Sequence, residues 1–263
     1  MVERTRVILK TVSPRALLER LQELRGDSAE AALAFDGDGT LWSGDVGEDL
    51  FHHAISRRSL REEALAALRR AASSGGLDTD GDANDVAKRI FDAYVAGKYP
   101  ERETCEMMTW CYAGQTASEL AESCREVLQQ ARIGERLHRE LEPVLDYARG
   151  SGLRAVVVSA SPRPVVEAAA SLWGFAPRDI AASTAAESGG RVAPENAAAV
   201  PYAEAKVGAG RSLFGDSLWL ASFGDNVFDV EMFQAARMGV AVRPKLGLRS
   251  RLPELPNVHL LET

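Results

Sequence analysis

Two features of the chain predict an α/β protein, a doubly wound parallel sheet carrying an inserted all-helical domain. Short apolar runs alternate with helical patterns through its second half, and a block of helical patterns separates its first and second strand-like runs. The runs are apolar at nearly every position rather than at every second one, as in strands covered on both faces. At 263 residues the chain is long enough for a core and a smaller domain.

Residues 13–25 read as a helix. Ser13 suits the N-cap, Pro14 the first helical position, and Leu17, Leu18, Leu21 and Leu24 share one face. Residues 31–35, Ala-Ala-Leu-Ala-Phe, form the first strand, which stops at Asp36. Residues 62–72, 85–96, 101–112 and 118–131 have helical spacing with charged outer faces. The polar stretch 73–84 contains Asp78, Asp80 and Asp82, with Asp85 next to it. Its Gly81 is misplaced for a calcium loop and the closing glutamate is missing, so a solvated turn with a helix cap at Asn84 is expected. A strand at 153–158, a helix at 163–173, a weaker strand at 179–184, a strand at 217–223, a helix at 227–236 and a strand at 239–242 follow. The expected domains are therefore a core of 1–44 and 146–263 and a helical insertion of 45–145.

Composition narrows the function. A net charge of −7 argues against a nucleic-acid surface, which needs clustered positive charge. Cys105, Cys111 and Cys124 form no CxxC pair and read as reduced thiols. No apolar stretch is long enough to span a membrane, and the first ten residues lack the apolar run of a secretory signal. The expected compartment is the cytoplasm.

In open α/β sheets the reactive crevice lies beyond the carboxyl ends of the strands. The first strand delivers Asp36 and Asp38 there, the second Ser159, and a later one Gly224-Asp225-Asn226, with Asp229 following. Several carboxylates gathered in one crevice repel each other unless a cation neutralises them, and an all-oxygen donor set selects a hard cation. Mg2+ suits a phosphate substrate. Asp36 could then attack phosphorus and Asp38 could serve as acid and base, while Lys206 and Ser159 hold phosphoryl oxygens. Gly37 and Gly39 let the backbone approach closely.

These residues resemble the haloacid dehalogenase-like hydrolase superfamily. Its first motif, DxDx[TV], is matched by Asp36-Gly37-Asp38-Gly39-Thr40; its second, an apolar strand ending in Ser or Thr, by Val156-Val157-Val158-Ser159; its third by Lys206; and its fourth, GDxxxD, by Gly224-Asp225-Asn226-Val227-Phe228-Asp229. The resemblance implies a Rossmann-like core, Asp36 as nucleophile and Asp38 as acid/base. It implies Mg2+ held by the side chains of Asp36 and Asp225 and the carbonyl of Asp38, with Thr40, Gly224 and Asp229 in support. Because dehalogenase members lack the second acid, Asp38 points to phosphate esters.

The helical insertion looks like the family's cap, and the Ser159-Ala160-Ser161-Pro162 turn is most similar to the phosphoserine phosphatase branch. That branch usually has a substrate-reading glutamate where this chain has Asp45, and Trp42 stands where a small aliphatic residue is usual. Asp45, Glu48 and Trp42 would suit a cationic head group such as that of a phosphorylated amino alcohol, and Arg102 is a candidate for a substrate carboxylate. The expected function is a phosphomonoesterase acting on a small phosphorylated metabolite, as monomer or homodimer. A phosphotransferase or phosphomutase with the same nucleophile, and a non-catalytic binding domain of the same fold, are the alternatives.

Overall fold

The structure is a computed structural model, and it describes residues 10–263. The reading of the extreme N-terminus as lacking a signal falls mostly on residues 1–9, outside the described residues. In chain order the elements are β1 (Thr11–Val12), α1 (Pro14–Arg25), β2 (Ala31–Phe35), α2 (Val46–Ser56), α3 (Glu62–Ser74), α4 (Ala83–Val95), α5 (Glu101–Trp110), α6 (Ala117–Gln130), α7 (Ile133–Arg136), α8 (Glu142–Gly150) and β3 (Arg154–Pro162). They continue with α9 (Arg163–Ala170), β4 (Ile180–Ser183), β5 (Ala185–Ser188), β6 (Arg191–Asn196), α10 (Ala205–Phe214), β7 (Leu218–Gly224), α11 (Val230–Ala235), β8 (Met238–Ala241), α12 (Leu246–Arg251) and β9 (Val258–Leu261).

The chain forms two compact units. The first comprises the residues up to Gly44, Arg136–Val158 and Ala203–Thr263; the second comprises Asp45–Glu135 and Ser159–Tyr202. The α/β class expected from the sequence is the observed one. A seven-stranded sheet has the order β1-β9-β8-β7-β2-β3-β4. β2 runs parallel to β3 on one side and β7 on the other. Its residues Leu33 and Phe35 are as completely buried as Ala32 and Ala34, so both faces are covered, which is why the strand shows no alternation. Ala32 and Ala34 pack with Val156, Phe214, Trp219 and Met232. Val230, Phe233, Leu248 and Val258 form a second cluster beside β8. Ser13 caps α1 as expected, its hydroxyl accepting from Ala16 N–H at 3.3 Å.

Some elements escaped sequence reading for physical reasons. Lys206 lies in the first turn of α10, whose pattern is blurred by Gly208 and Gly210. Gly210 is accommodated because Trp219 fills the space beside it; a Cβ there would sit 2.9 Å from the indole. β1 is too short, at two residues, to show a period, and the apolar run of β9, Val-His-Leu-Leu, is broken by His259.

In the second unit, α2 to α6 form a helical array and β5–β6 an antiparallel hairpin. The hairpin binds to the helical segment through Gly114 N–H to Val192 C=O and Val192 N–H to Gln115 C=O, both 2.9 Å. They tie the hairpin to helices of its own unit, which includes 159–202, a segment the sequence reading assigned to the core. The cap of α4 is Asp82, not Asn84. Asp82 accepts from Asn84 and Asp85 N–H, and the Asp85 carboxylate accepts from Asp82 N–H. Asn84 is instead a buried bridge, its amide paired with both N–H and C=O of Leu60 at 3.1 and 3.2 Å. No helix among the described residues is long and apolar enough to cross a membrane.

Candidate active site

Register decides what meets at the end of β2. Phe35 pairs with Phe223 on β7, and their rings stack with centroids 4.3 Å apart. The residues just beyond, Asp36 and Gly224-Asp225, therefore emerge side by side. Asp36 N–H donates to Phe223 C=O at 2.9 Å, extending the ladder by one bond.

The side chain of Asp36 is held at both oxygens. Lys206 Nζ lies 2.7 Å from Oδ1, and Thr40 Oγ1 donates to Oδ2 at 3.2 Å. Lys206 also reaches Asp229 Oδ1 at 2.5 Å. The other oxygen of Asp229 accepts from the N–H groups of Asp225 and Asn226 at 3.1 and 2.9 Å. Asp229 thus shapes the 224–226 turn with one oxygen and orients the lysine with the other. Two glycines make this closeness sterically feasible. At Gly224 a Cβ would fall 2.5 Å from the Asp229 carboxyl, and at Gly39, whose φ is +80°, one would fall 2.1 Å from Asp225 Oδ2.

Burial pushes the pKa of Asp36 up; Lys206 pulls against this, and the charges of Asp229 and Asp38 reinforce it. Asp225 is pushed up by burial and then by Asp36, with Lys245 opposing. Burial works against the charge on Lys206, but Asp229 and Asp36 together outweigh it and keep the ammonium charged. Carboxylate oxygens of Asp36, Asp225 and Asp229 come within 4.8 Å of one another. Lys206 is shared between Asp36 and Asp229 and Lys245 reaches Asp225, so three buried carboxylates face two ammonium groups. That imbalance, with oxygen donors alone, fits a hard divalent cation.

The first unit brings Asp36, Asp38, Thr40, Lys206, Gly224, Asp225 and Asp229 together. Ser159, Asp45 and Glu48 belong to the second unit. There Ser159 is buried, its Oγ accepting from Ser161 N–H at 3.1 Å. Asp45 caps α2 by accepting from Glu48 N–H at 2.8 Å. Arg102 lies over the Tyr202 ring, 5.5 Å from its centroid. Trp42, expected to face a cationic group, is fully buried, and its indole N–H donates to Asp38 Oδ1 at 2.8 Å.

Sequence reading missed two contributors. Lys245 Nζ lies 3.3 Å from Asp225 Oδ2, and its N–H donates to Asp225 C=O at 2.8 Å. Only the placement of β8 beside β7 reveals this. His138 Nδ1 pairs with Thr40 C=O at 2.9 Å, and His138 N–H donates to Leu41 C=O at 3.0 Å. Nothing in the local pattern around 138 signals that role.

A family profile for haloacid dehalogenase-like hydrolases matches residues 33–234. The chain belongs to that family. It is accordingly a hydrolase, and the matched segment begins within β2 and runs through the Asp225–Asp229 turn. No curated protein matches it significantly in sequence. Among solved structures it is similar to a protein of unknown function from Bordetella pertussis Tohama I, with TM-score 0.65 and 18% identity over 89% of this chain and 98% of that one. It is also similar to a functionally unknown protein from Anaerococcus prevotii DSM 20548, with TM-score 0.68 and 14% identity over 95% and 92% of the two chains. A third is a probable phosphoserine phosphatase from Vibrio cholerae, with TM-score 0.53 and 12% identity over 90% of this chain and 62% of that one. These likenesses establish a shared fold.

Proposed function

We propose that this hydrolase is a Mg2+-dependent phosphomonoesterase that works through an aspartyl-phosphate on Asp36 and acts on a small phosphorylated metabolite. The observation that carries the reading is the state of Asp36: a buried carboxylate oriented by Lys206 and Thr40, with a second acid two residues on. A nucleophile held at both oxygens is placed for in-line attack, and Lys206 beside it offers positive charge for phosphoryl oxygens. In the first half-reaction an Asp36 oxygen bonds to phosphorus, the bond from phosphorus to the ester oxygen breaks, and the carboxyl of Asp38 gives its proton to the departing oxygen. In the second, Asp38 takes a proton from water as the water oxygen attacks phosphorus, freeing Asp36 and releasing phosphate.

Asp36, Asp225 and the carbonyl of Asp38 would hold the Mg2+. The ion supplies charge stabilisation for the transferring phosphoryl group. Ser159 is assigned to a phosphoryl oxygen. Asp45, Glu48 and Arg102 are assigned to substrate choice, with phosphoserine or a phosphorylated amino alcohol as the class. The fold shared with a probable phosphoserine phosphatase supports that class. The reading keeps the cytoplasm as compartment and a monomer or homodimer as the state.

The test is hydrolysis of p-nitrophenyl phosphate with Mg2+ and with EDTA, followed by a screen of phosphorylated metabolites. Turnover that EDTA abolishes and that Asp36→Asn loses supports the reading. Full activity in Asp36→Asn refutes the mechanism. Turnover of sugar phosphates or nucleotides alone, with phosphoserine and phosphoamines inert, refutes the substrate class.

A further inference from the structure

The loop after β2 closes on Trp42. Gly39 N–H donates to Trp42 C=O at 2.8 Å, and Thr40 and Leu41 N–H donate to Gly37 C=O at 3.1 and 2.8 Å. Trp42 also forms bridges with Asp38 on one side and Leu137 on the other. Ser43 N–H donates to Arg136 C=O at 2.9 Å, and Arg136 Nε donates back to Ser43 C=O at 2.7 Å. His138 closes the remaining side through the carbonyls of Thr40 and Leu41. The backbone at Trp42 and on either side of it is therefore pinned by several bonds, and the Trp42 side chain has no exposed surface.

From that fixed base the indole Nε1–H donates to Asp38 Oδ1 at 2.8 Å. Indole nitrogen is a donor only, so a carboxyl oxygen is a matched partner. A donor locked in packing restricts the rotamer of the flexible acid it holds.

We infer that Trp42 is a positioning residue for the acid/base carboxyl of Asp38, aiming it at the ester oxygen that leaves and at the water that follows. The inference rests on the phosphatase reading. It also explains why a large aromatic stands at this position: an aliphatic residue could fill the space but could not donate.

A positioning role has a kinetic signature. Protonation of the departing oxygen matters most when that oxygen is strongly basic, so a displaced Asp38 penalises poor leaving groups selectively. The experiment compares kcat/KM for p-nitrophenyl phosphate and phenyl phosphate in the full-length protein, its W42F variant, D38N, and the double variant. With the hydrogen bond gone and the ring retained, W42F should lose about ten- to hundredfold on phenyl phosphate, the range a charge-assisted hydrogen bond carries, and distinctly less on p-nitrophenyl phosphate. In the D38N background W42F should add no further loss. Equal losses on both esters, or an additional loss in the D38N background, overturn the inference and assign Trp42 a purely structural role.

If W42F does not fold, 15N-indole-labelled wild type and D38A carry the test. The Trp42 Nε1–H resonance should shift on D38A while those of Trp110, Trp173 and Trp219 hold still; an unmoved Trp42 signal overturns the contact. Absence of Mg2+-dependent turnover of either ester by wild type removes the phosphatase reading itself. Normal wild-type turnover with an unchanged ester ratio in W42F removes only the role of Trp42.

Discussion

Asp229 is the residue whose replacement the structure resolves most finely. It is fully buried and accepts from three donors: Lys206 Nζ on Oδ1, and the N–H groups of Asp225 and Asn226 on Oδ2. Asparagine can place its carbonyl toward the two backbone donors, but its NH2 then faces the ammonium of Lys206. One charge-assisted hydrogen bond is lost, which costs about 1.5–3 kcal/mol. Alanine loses the same bond and also leaves the buried N–H of Asp225 and the part-buried N–H of Asn226 unpaired, each worth about 1–3 kcal/mol. Asp229→Ala should therefore be less stable than Asp229→Asn by about 2 kcal/mol at the low end of that range. For a chain of this size that is about 4–8 °C in melting temperature. Thermal melts of both variants, with hydrogen exchange at the amides of Asp225 and Asn226, provide the measurement. Exchange should accelerate in Asp229→Ala and stay protected in Asp229→Asn. Equal melting temperatures with equal protection would refute the idea that the Asp229 carboxylate holds the turn.

Gly39→Ala must fit a Cβ 2.1 Å from Asp225 Oδ2 at a φ of +80°; the left-handed backbone alone costs about 1–2 kcal/mol, and on the proposed phosphatase reading the displaced carboxylate should raise the Mg2+ concentration needed for half-maximal activity. Asn84→Ala leaves both polar groups of Leu60 unpaired in the interior and should cost about 2 kcal/mol or more, read from chemical denaturation. Glu119 has its pKa pulled down to about 2 from 4.5, first by Arg61 and then by Thr116. A depressed carboxylate stabilises above its unfolded pKa and loses that contribution as pH falls, so wild type should melt above Glu119→Gln at pH 6, and the gap should close between pH 4.5 and 2.

Much of the site was legible because its chemistry is carried by short segments at strand ends. An unbroken apolar run ending in Asp36-Gly37-Asp38-Gly39-Thr40 announces a buried strand with acids at its carboxyl end, and Gly224-Asp225 repeats the signal after Ser222-Phe223. Local pattern also sufficed for α1, because Ser13, Pro14 and the leucine face act within two turns of helix. It misled at Asn84, where Asp82 two residues earlier is an equally good cap and the bond to Leu60 comes from 24 residues away.

What the sequence by itself determined is the class of fold, the acids and the lysine, because periodicity and residue type are local properties. The tertiary structure decided what each of them meets. The Phe35–Phe223 register sets Asp36 beside Asp225; α10 carries Lys206 to Asp36 across 170 positions of chain; and β8 beside β7 adds Lys245. The same holds for Trp42, which reads locally as a ring for binding a cation. Once the loop is pinned by Leu137 and His138, its ring is buried and its one donor meets Asp38. A side chain's partner depends on which distant backbone closes around it, and that information exists only in the folded chain.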